Sequence, residues 1–154
     1  MLFGDKSKFA IEVFDKEVLG ERLFAYILLW VGNDDLGDRE QKVMISIPFD
    51  HYKDTLRLNF RSSVCHGFTV EEAWEYLKRN SFGDGDGSTL HHNICSNFSE
   101  SFDGESLYIM SDKESERYIW KKYNTIKAKE IFLPVGTYKE VILAFTQWFV
   151  KENK

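Results

Sequence analysis

Cysteine is scarce in this chain: Cys65 and Cys95 are the only two among 154 residues. A disulfide framework needs more, so nothing marks a small secreted scaffold. Proline is equally rare, with two residues against ten glycines, which excludes Pro-rich and collagen-like chains. Long apolar runs are missing. The longest covers residues 23–31, where a membrane helix needs about 20 residues. The opening, residues 1–8, lacks the apolar stretch of about 7–15 residues found in secretory signals. These absences predict a protein of the reducing cytosol with no membrane partner. Catalytic fingerprints are absent as well: the sequence holds no G-x-S-x-G elbow, P-loop or G-x-G-x-x-G turn.

What is present is core material. At 18.1 kDa the chain predicts a single globular domain over 1–154. Hydrophobic residues make up 43%, and 13 Phe, 7 Tyr and 4 Trp supply large side chains for one core. The net charge of −5 hides an asymmetry. Residues 84–116 carry eight acids against Lys113 alone, whereas 117–154 carry eight bases and three acids. A nucleic-acid binder shows a basic field; this chain points instead to a basic partner and away from nucleic acid.

Hydrophobic periodicity gives the elements. Phe9, Ile11 and Val13 alternate with Lys8, Ala10 and Glu12, the period of a strand buried on one face. Residues 22–31 read as a central strand. Val43, Ile45 and Ile47 alternate up to Pro48 and predict a third strand over 42–47. The intervening 32–37 segment, rich in Gly, Asn and Asp, reads as a turn between antiparallel neighbours. Thr69 and Glu72 have capping-box spacing and open a helix over 69–80, with Val70, Ala73, Trp74 and Leu77 on one face. Thr137 and Glu140 repeat that spacing before a helix over 137–151, whose Tyr138, Val141, Ile142, Phe145 and Trp148 share a face. A shorter helix over 50–58 has Asp50 as cap and Tyr52 and Leu56 facing inward. Three strands follow near 105–111, 117–123 and 127–133. Strands and helices segregate along the chain, which predicts an α+β fold: a mainly antiparallel sheet of about six strands with two or three helices packed against it.

Three constellations could carry chemistry. Cys65, His66, His91, His92 and Cys95 are potential zinc ligands, and a metal-dependent hydrolase or nuclease is the alternative reading they allow. Their spacing matches no paired C-x-x-C knuckle, so no metal or other cofactor is expected. The turn at 83–88 contains Asp84 and Asp86 but puts Phe82 and Asn93 at positions where a calcium loop needs carboxylates. Protein recognition fits better. Asp34, Asp35, Asp38 and Glu40 make an acidic hairpin tip. The long segment 81–104 holds four glycines and five serines, and segments of that length are usually functional or disordered. Asp34, Asp35, Asp84, Asp86, Phe98, Phe102, Asp103 and Glu105 are the candidate contacts. Carboxylates steer a cationic partner, and aromatics supply anchoring contacts.

Two segments resemble a known family. Phe3, Gly4, Asp5 and Phe9 at the start, then Trp30, Gly37 and Asp38, are similar to the opening of the bacterial immunity protein family forty-two. Its members pair with polymorphic toxins, including those of contact-dependent growth inhibition systems. The resemblance covers about the first 40 residues. It implies a non-catalytic cytosolic protein that binds the C-terminal domain of a cognate toxin and blocks it. The matched residues shape turns and a core strand, so the binding contacts are not transferred from them. The acidic charge suggests that the toxin is basic, as a nuclease with a phosphate-binding cleft would be.

Overall fold

The computed structural model describes residues 1–96 and 99–152. A long hairpin organises its N-terminal half. The arms are β2 (Phe9–Leu19) and β3 (Arg22–Val31), registered from Phe9 opposite Val31 to Leu19 opposite Arg22, with a bulge between Phe14 and Glu17. β1 (Leu2–Gly4) pairs with β2, while β4 (Asp34–Leu36) and β5 (Val43–Met44) pair with β3. All of these pairings are antiparallel, as short connections require.

The period-two pattern at 42–47 spans a strand end and a helix start. Strand β5 stops at Met44, Ile45 takes the N-cap position, and α1 runs Ser46–Thr55. Pro48 lies in its first turn, where a proline's missing N–H leaves no hydrogen bond unmade. Asp50 is therefore inside the helix, not its cap. Tyr52 is fully buried, as its inward placement required, whereas Ile47 is exposed.

The C-terminal half adds a separate antiparallel sheet of β6 (Ser106–Ser111), β7 (Ser115–Lys121) and β8 (Lys129–Pro134). With α2 (Val70–Phe82) and α3 (Thr137–Glu152), the described residues form an α+β fold of eight strands and three helices. Both faces of β6 are covered. Leu107 and Ile109 join the main core with the inner face of the first sheet, α1 and α3. Tyr108 and Met110 join Ala73, Trp74 and Leu77 of α2 in a second cluster.

The two predicted capping boxes have different outcomes. At α2 both bonds form: Thr69 Oγ1 accepts the Glu72 N–H at 3.2 Å, and the Glu72 carboxylate accepts the Thr69 N–H at 2.8 Å. At α3 Thr137 is already helical, and its hydroxyl donates to the Pro134 carbonyl. A residue from β7 does the capping. The Glu116 carboxylate accepts the N–H groups of Gly136 and Tyr138 at 2.7 and 3.0 Å, placing negative charge where the helix dipole favours it. The apolar face of α3 is as the sequence predicts, with Tyr138, Val141, Ile142, Phe145 and Trp148 all buried.

Candidate protein-binding surface

The segment 81–104 is stitched to the fold rather than free. Thr89 donates to the Leu77 carbonyl, the Ile94 N–H reaches Leu107, and Asn93 accepts the N–H groups of Cys95 and Leu107. Short 3-10 turns at Leu90–His92 and Glu100–Phe102 bury His92, Ser101 and Phe102. Phe102 belongs to the core at 2% exposure, so it offers no surface for a partner. Phe98 lies outside the described residues.

Four candidate contacts do converge. The Gly37 N–H donates to the Glu105 carboxylate, and the Asp38 N–H donates to the Ser101 carbonyl at 2.8 Å. These bonds join the hairpin tip of Asp34 and Asp35 to the strip holding Asp103 and Glu105. Asp34 and Asp35, however, are already partnered. Trp120 Nε1 and Lys129 Nζ each reach Asp34 at 2.8 Å, while Lys122 and Arg39 reach Asp35 at 2.7 and 2.9 Å. Burial opposes the charge on both carboxylates, but the hydrogen bonds outweigh it and hold them below the ordinary value. Their main role is to fasten the first sheet to Trp120, Lys122 and Lys129 on the side of the second. Burial pushes the Glu105 carboxyl up, against its backbone donors Gly37 and Tyr123.

The carboxylates along this strip without an ion pair among the described residues are Asp38, Glu40, Glu100 and Asp103, all exposed; Asp38 accepts the Glu40 N–H at 2.7 Å and Glu100 accepts the Gln41 side-chain amide at 3.2 Å. Asp84 and Asp86 are exposed too. Asp86 closes its own turn on Ser88, whose side-chain and backbone hydrogen bonds lower its pKa. No hydrogen bond or ion pair among the described residues links these two to the first strip.

The candidate metal ligands do not assemble. Cys65 packs in the cluster under α2, Cys95 in the main core, and burial pushes both thiols up. Among the described residues no group of three His, Cys, Asp or Glu side chains converges on a common point. His92 is buried with Nδ1 2.7 Å from the Ile109 carbonyl, and His51 lies 3.3 Å from the Ile94 carbonyl. Desolvation lowers both pKa values from 6.5. The unfolded chain therefore takes up these protons first as the pH falls. Their contribution to stability is fully present above about pH 6.5 and is lost below it. The melting temperature should drop as the pH falls below about 6.5, each histidine supplying at most about 1.4 kcal/mol per pH unit. His92→Gln should make the drop shallower; an unchanged profile would show that His92 does not drive it.

The residues that carried the family resemblance explain themselves physically. Gly4 has φ +99°, and a Cβ there would stand 2.4 Å from the Phe9 carbonyl oxygen and 2.8 Å from Val141. Gly37 has φ +110° and lies against the Ile27 carbonyl and the Phe102 ring. Only glycine fits such left-handed, close-packed positions. Asp5 accepts the Ser7 N–H and hydroxyl within a turn, and Trp30 donates to Glu12 under the Lys6 ammonium. The family model for Immunity protein 42 matches residues 1–148. This chain belongs to the Immunity protein 42 family. The solved structure of CdiI from Burkholderia dolosa AUO158 is similar, with a TM-score of 0.76 at 18% identity, over 96% of this chain and 99% of that one. At that identity the likeness concerns the fold. No curated protein matches the chain. The family match, with Cys65 and Cys95 held in separate clusters, leaves the hydrolase alternative without support.

Proposed function

We propose that this Immunity protein 42 member, a single domain over 1–154, binds a cognate toxin domain in the cytoplasm and neutralises it without catalysis. The observation that carries this reading is the family match across residues 1–148. No helix among the described residues is long and apolar enough to cross a membrane, which is compatible with a cytoplasmic site of action. The proposed toxin surface is basic, such as a nuclease cleft, and meets exposed carboxylates whose charge is not already spent. Those are Asp84, Asp86 and Asp103, joined by Asp38, Glu40 and Glu100. Asp34, Asp35 and Glu105 contribute at the rim, where the fold already uses most of their charge.

The test is association kinetics with the toxin domain encoded by the neighbouring gene. Asp84→Lys, Asp86→Lys and Asp103→Lys, alone and combined, should lower the on-rate at low salt by roughly tenfold for the triple variant and flatten its salt dependence. Global folding should be retained, because these side chains are exposed and the Asp86 bond to Ser88 closes only its own surface turn. Unchanged on-rates would refute the acidic-surface mechanism. Reversing Asp34 or Asp35 is a poor test, since either change breaks ion pairs that hold the sheets together.

A further inference from the structure

The two edges of the second sheet differ. The outer side of β6 is covered: the Phe60 carbonyl and the Ser62 N–H bond to Ser111, and the Ile94 N–H and the Asn93 side chain bond to Leu107. The outer side of β8 meets no strand and makes no ladder bond among the described residues. Antiparallel alternation shows which of its groups are free. Leu107 and Ser111 turn their backbone groups away from β7, so those of Ser106, Tyr108 and Met110 face it. Glu116, Tyr118 and Trp120 then face β8, and Lys129, Ile131 and Leu133 face back. That leaves the N–H and C=O groups of Glu130 and Phe132 pointing outwards. Pro134 also points outwards, but it has no N–H, and its carbonyl already accepts the Thr137 hydroxyl at 2.7 Å.

Free edges are usually blunted by charge or by proline. Both charges on β8 are neutralised within the chain, Lys129 by Asp34 at 2.8 Å and Glu130 by Arg117 at 2.7 Å. Pro134 blunts the edge only at the end of the strand. Lys129, Glu130 and Phe132 are exposed and Ile131 is half-buried, so the stretch before Pro134 is accessible.

We propose that this edge pairs with the same edge of a second copy of the chain, antiparallel about a two-fold axis at Ile131, making one sheet of six strands. β8 is its own complement in that register. Each Glu130 lies opposite a Phe132 of the other copy, and the two pairs exchange four N–H···O=C bonds. Ile131 meets its equivalent, and Lys129 lies opposite Leu133. The two Glu130 carboxylates are diagonal neighbours, about 7–8 Å apart, and each keeps its own Arg117. The neighbouring registers are worse. An axis at Glu130 sets the two carboxylates directly opposite each other. An axis at Phe132 puts Glu130 against Pro134, which has no donor. A second copy fits because a two-fold interface uses one patch twice, and this patch supplies every donor and acceptor the pairing needs. Six residues make a small interface, so the dimer is a weak one. It does not depend on toxin binding.

The experiment is sedimentation velocity of the untagged chain from about 1 µM to about 1 mM. Wild type should pass from monomer to dimer within that range. Phe132→Pro removes two of the four donors and leaves the β7 ladder intact, because this N–H faces outwards; it should raise the dimer dissociation constant about tenfold. Phe132→Glu and Phe132→Lys test the register. The first sets a carboxylate opposite the other copy's Glu130, and the second sets an ammonium there, so the lysine variant should dimerise at least about fivefold more tightly than the glutamate variant. Both alter an exposed side chain, so this comparison remains readable if the proline variant unfolds. Wild type that stays monomeric throughout overturns the proposal. So does a dimer that the glutamate and lysine variants weaken equally, or that none of the three changes. Monomeric wild type whose affinity for the neighbouring gene's toxin domain falls in Phe132→Pro also overturns it and assigns the edge to the toxin.

Discussion

Replacing Phe145 with Ala should lower the free energy of unfolding by about 3–5 kcal/mol, read from urea denaturation. Phe145 is completely buried and stands where three elements meet. Its ring lies 5.8 Å from Phe3 of β1, 5.9 Å from Tyr52 of α1 and 5.9 Å from Trp148 one turn along α3. Truncation removes the shared partner of all three rings. None of them can move far to fill the space, since β1 is paired to β2 and Tyr52 is held in a helix. The cost should therefore include most of the cavity term as well as the lost transfer energy. A loss of about 0.5 kcal/mol or less, the range of surface substitutions, would contradict this placement.

Glu116→Ala should be nearly as damaging, at roughly 3–5 kcal/mol. The side chain is 7% exposed and has no cationic partner in the ion pairs of the described residues. Its charge is met instead by the N–H groups of Gly136 and Tyr138 and by the Tyr118 hydroxyl, which donates at 2.6 Å. Burial, together with the carboxylate beside it, pushes the Tyr118 phenol up, so that phenol stays a donor. Removing the carboxylate leaves two buried donors, the Tyr118 hydroxyl and the Tyr138 N–H, and the half-buried Gly136 N–H at the mouth of α3, and each buried donor costs about 1–3 kcal/mol when unsatisfied. Glu116→Gln keeps one acceptor and should fall between wild type and Ala. Urea denaturation of the two variants gives the order. A loss below about 1 kcal/mol for Ala would show that local groups, not Glu116, cap the helix.

These two residues illustrate what the sequence can and cannot reveal. Phe145 follows from local periodicity, because its neighbours at helical spacing in α3 are also apolar. The capping box at Thr69 and Glu72 is local in the same way, with both partners within one turn. Glu116 is not, since it caps a helix that starts 21 residues later, and nothing near Thr137 indicates that its own box stays unformed. Asp34 and Asp35 are similar: they read as a free acidic tip because Lys122 and Lys129 are 87 and 95 residues away in sequence. The separation into two sheets is hidden in β6, where Leu107, Tyr108, Ile109 and Met110 are all buried. A strand buried on both faces carries no alternation to show which side meets which layer. At 43–47 the opposite happened: an apolar alternation continued through the start of α1, whose first turn needs no particular period. The outward N–H groups of Glu130 and Phe132 are hidden too, since only the strand register shows which side of β8 is left unpaired.

The central claim is that this chain neutralises a toxin by binding it. The most direct measurement is the growth of bacteria that produce the neighbouring gene's toxin domain, with and without this protein at verified levels. The account predicts that growth arrest is relieved when the protein is present and returns for the combined Asp84, Asp86 and Asp103 reversal. Arrest that proceeds equally fast in the presence of folded wild-type protein would contradict it.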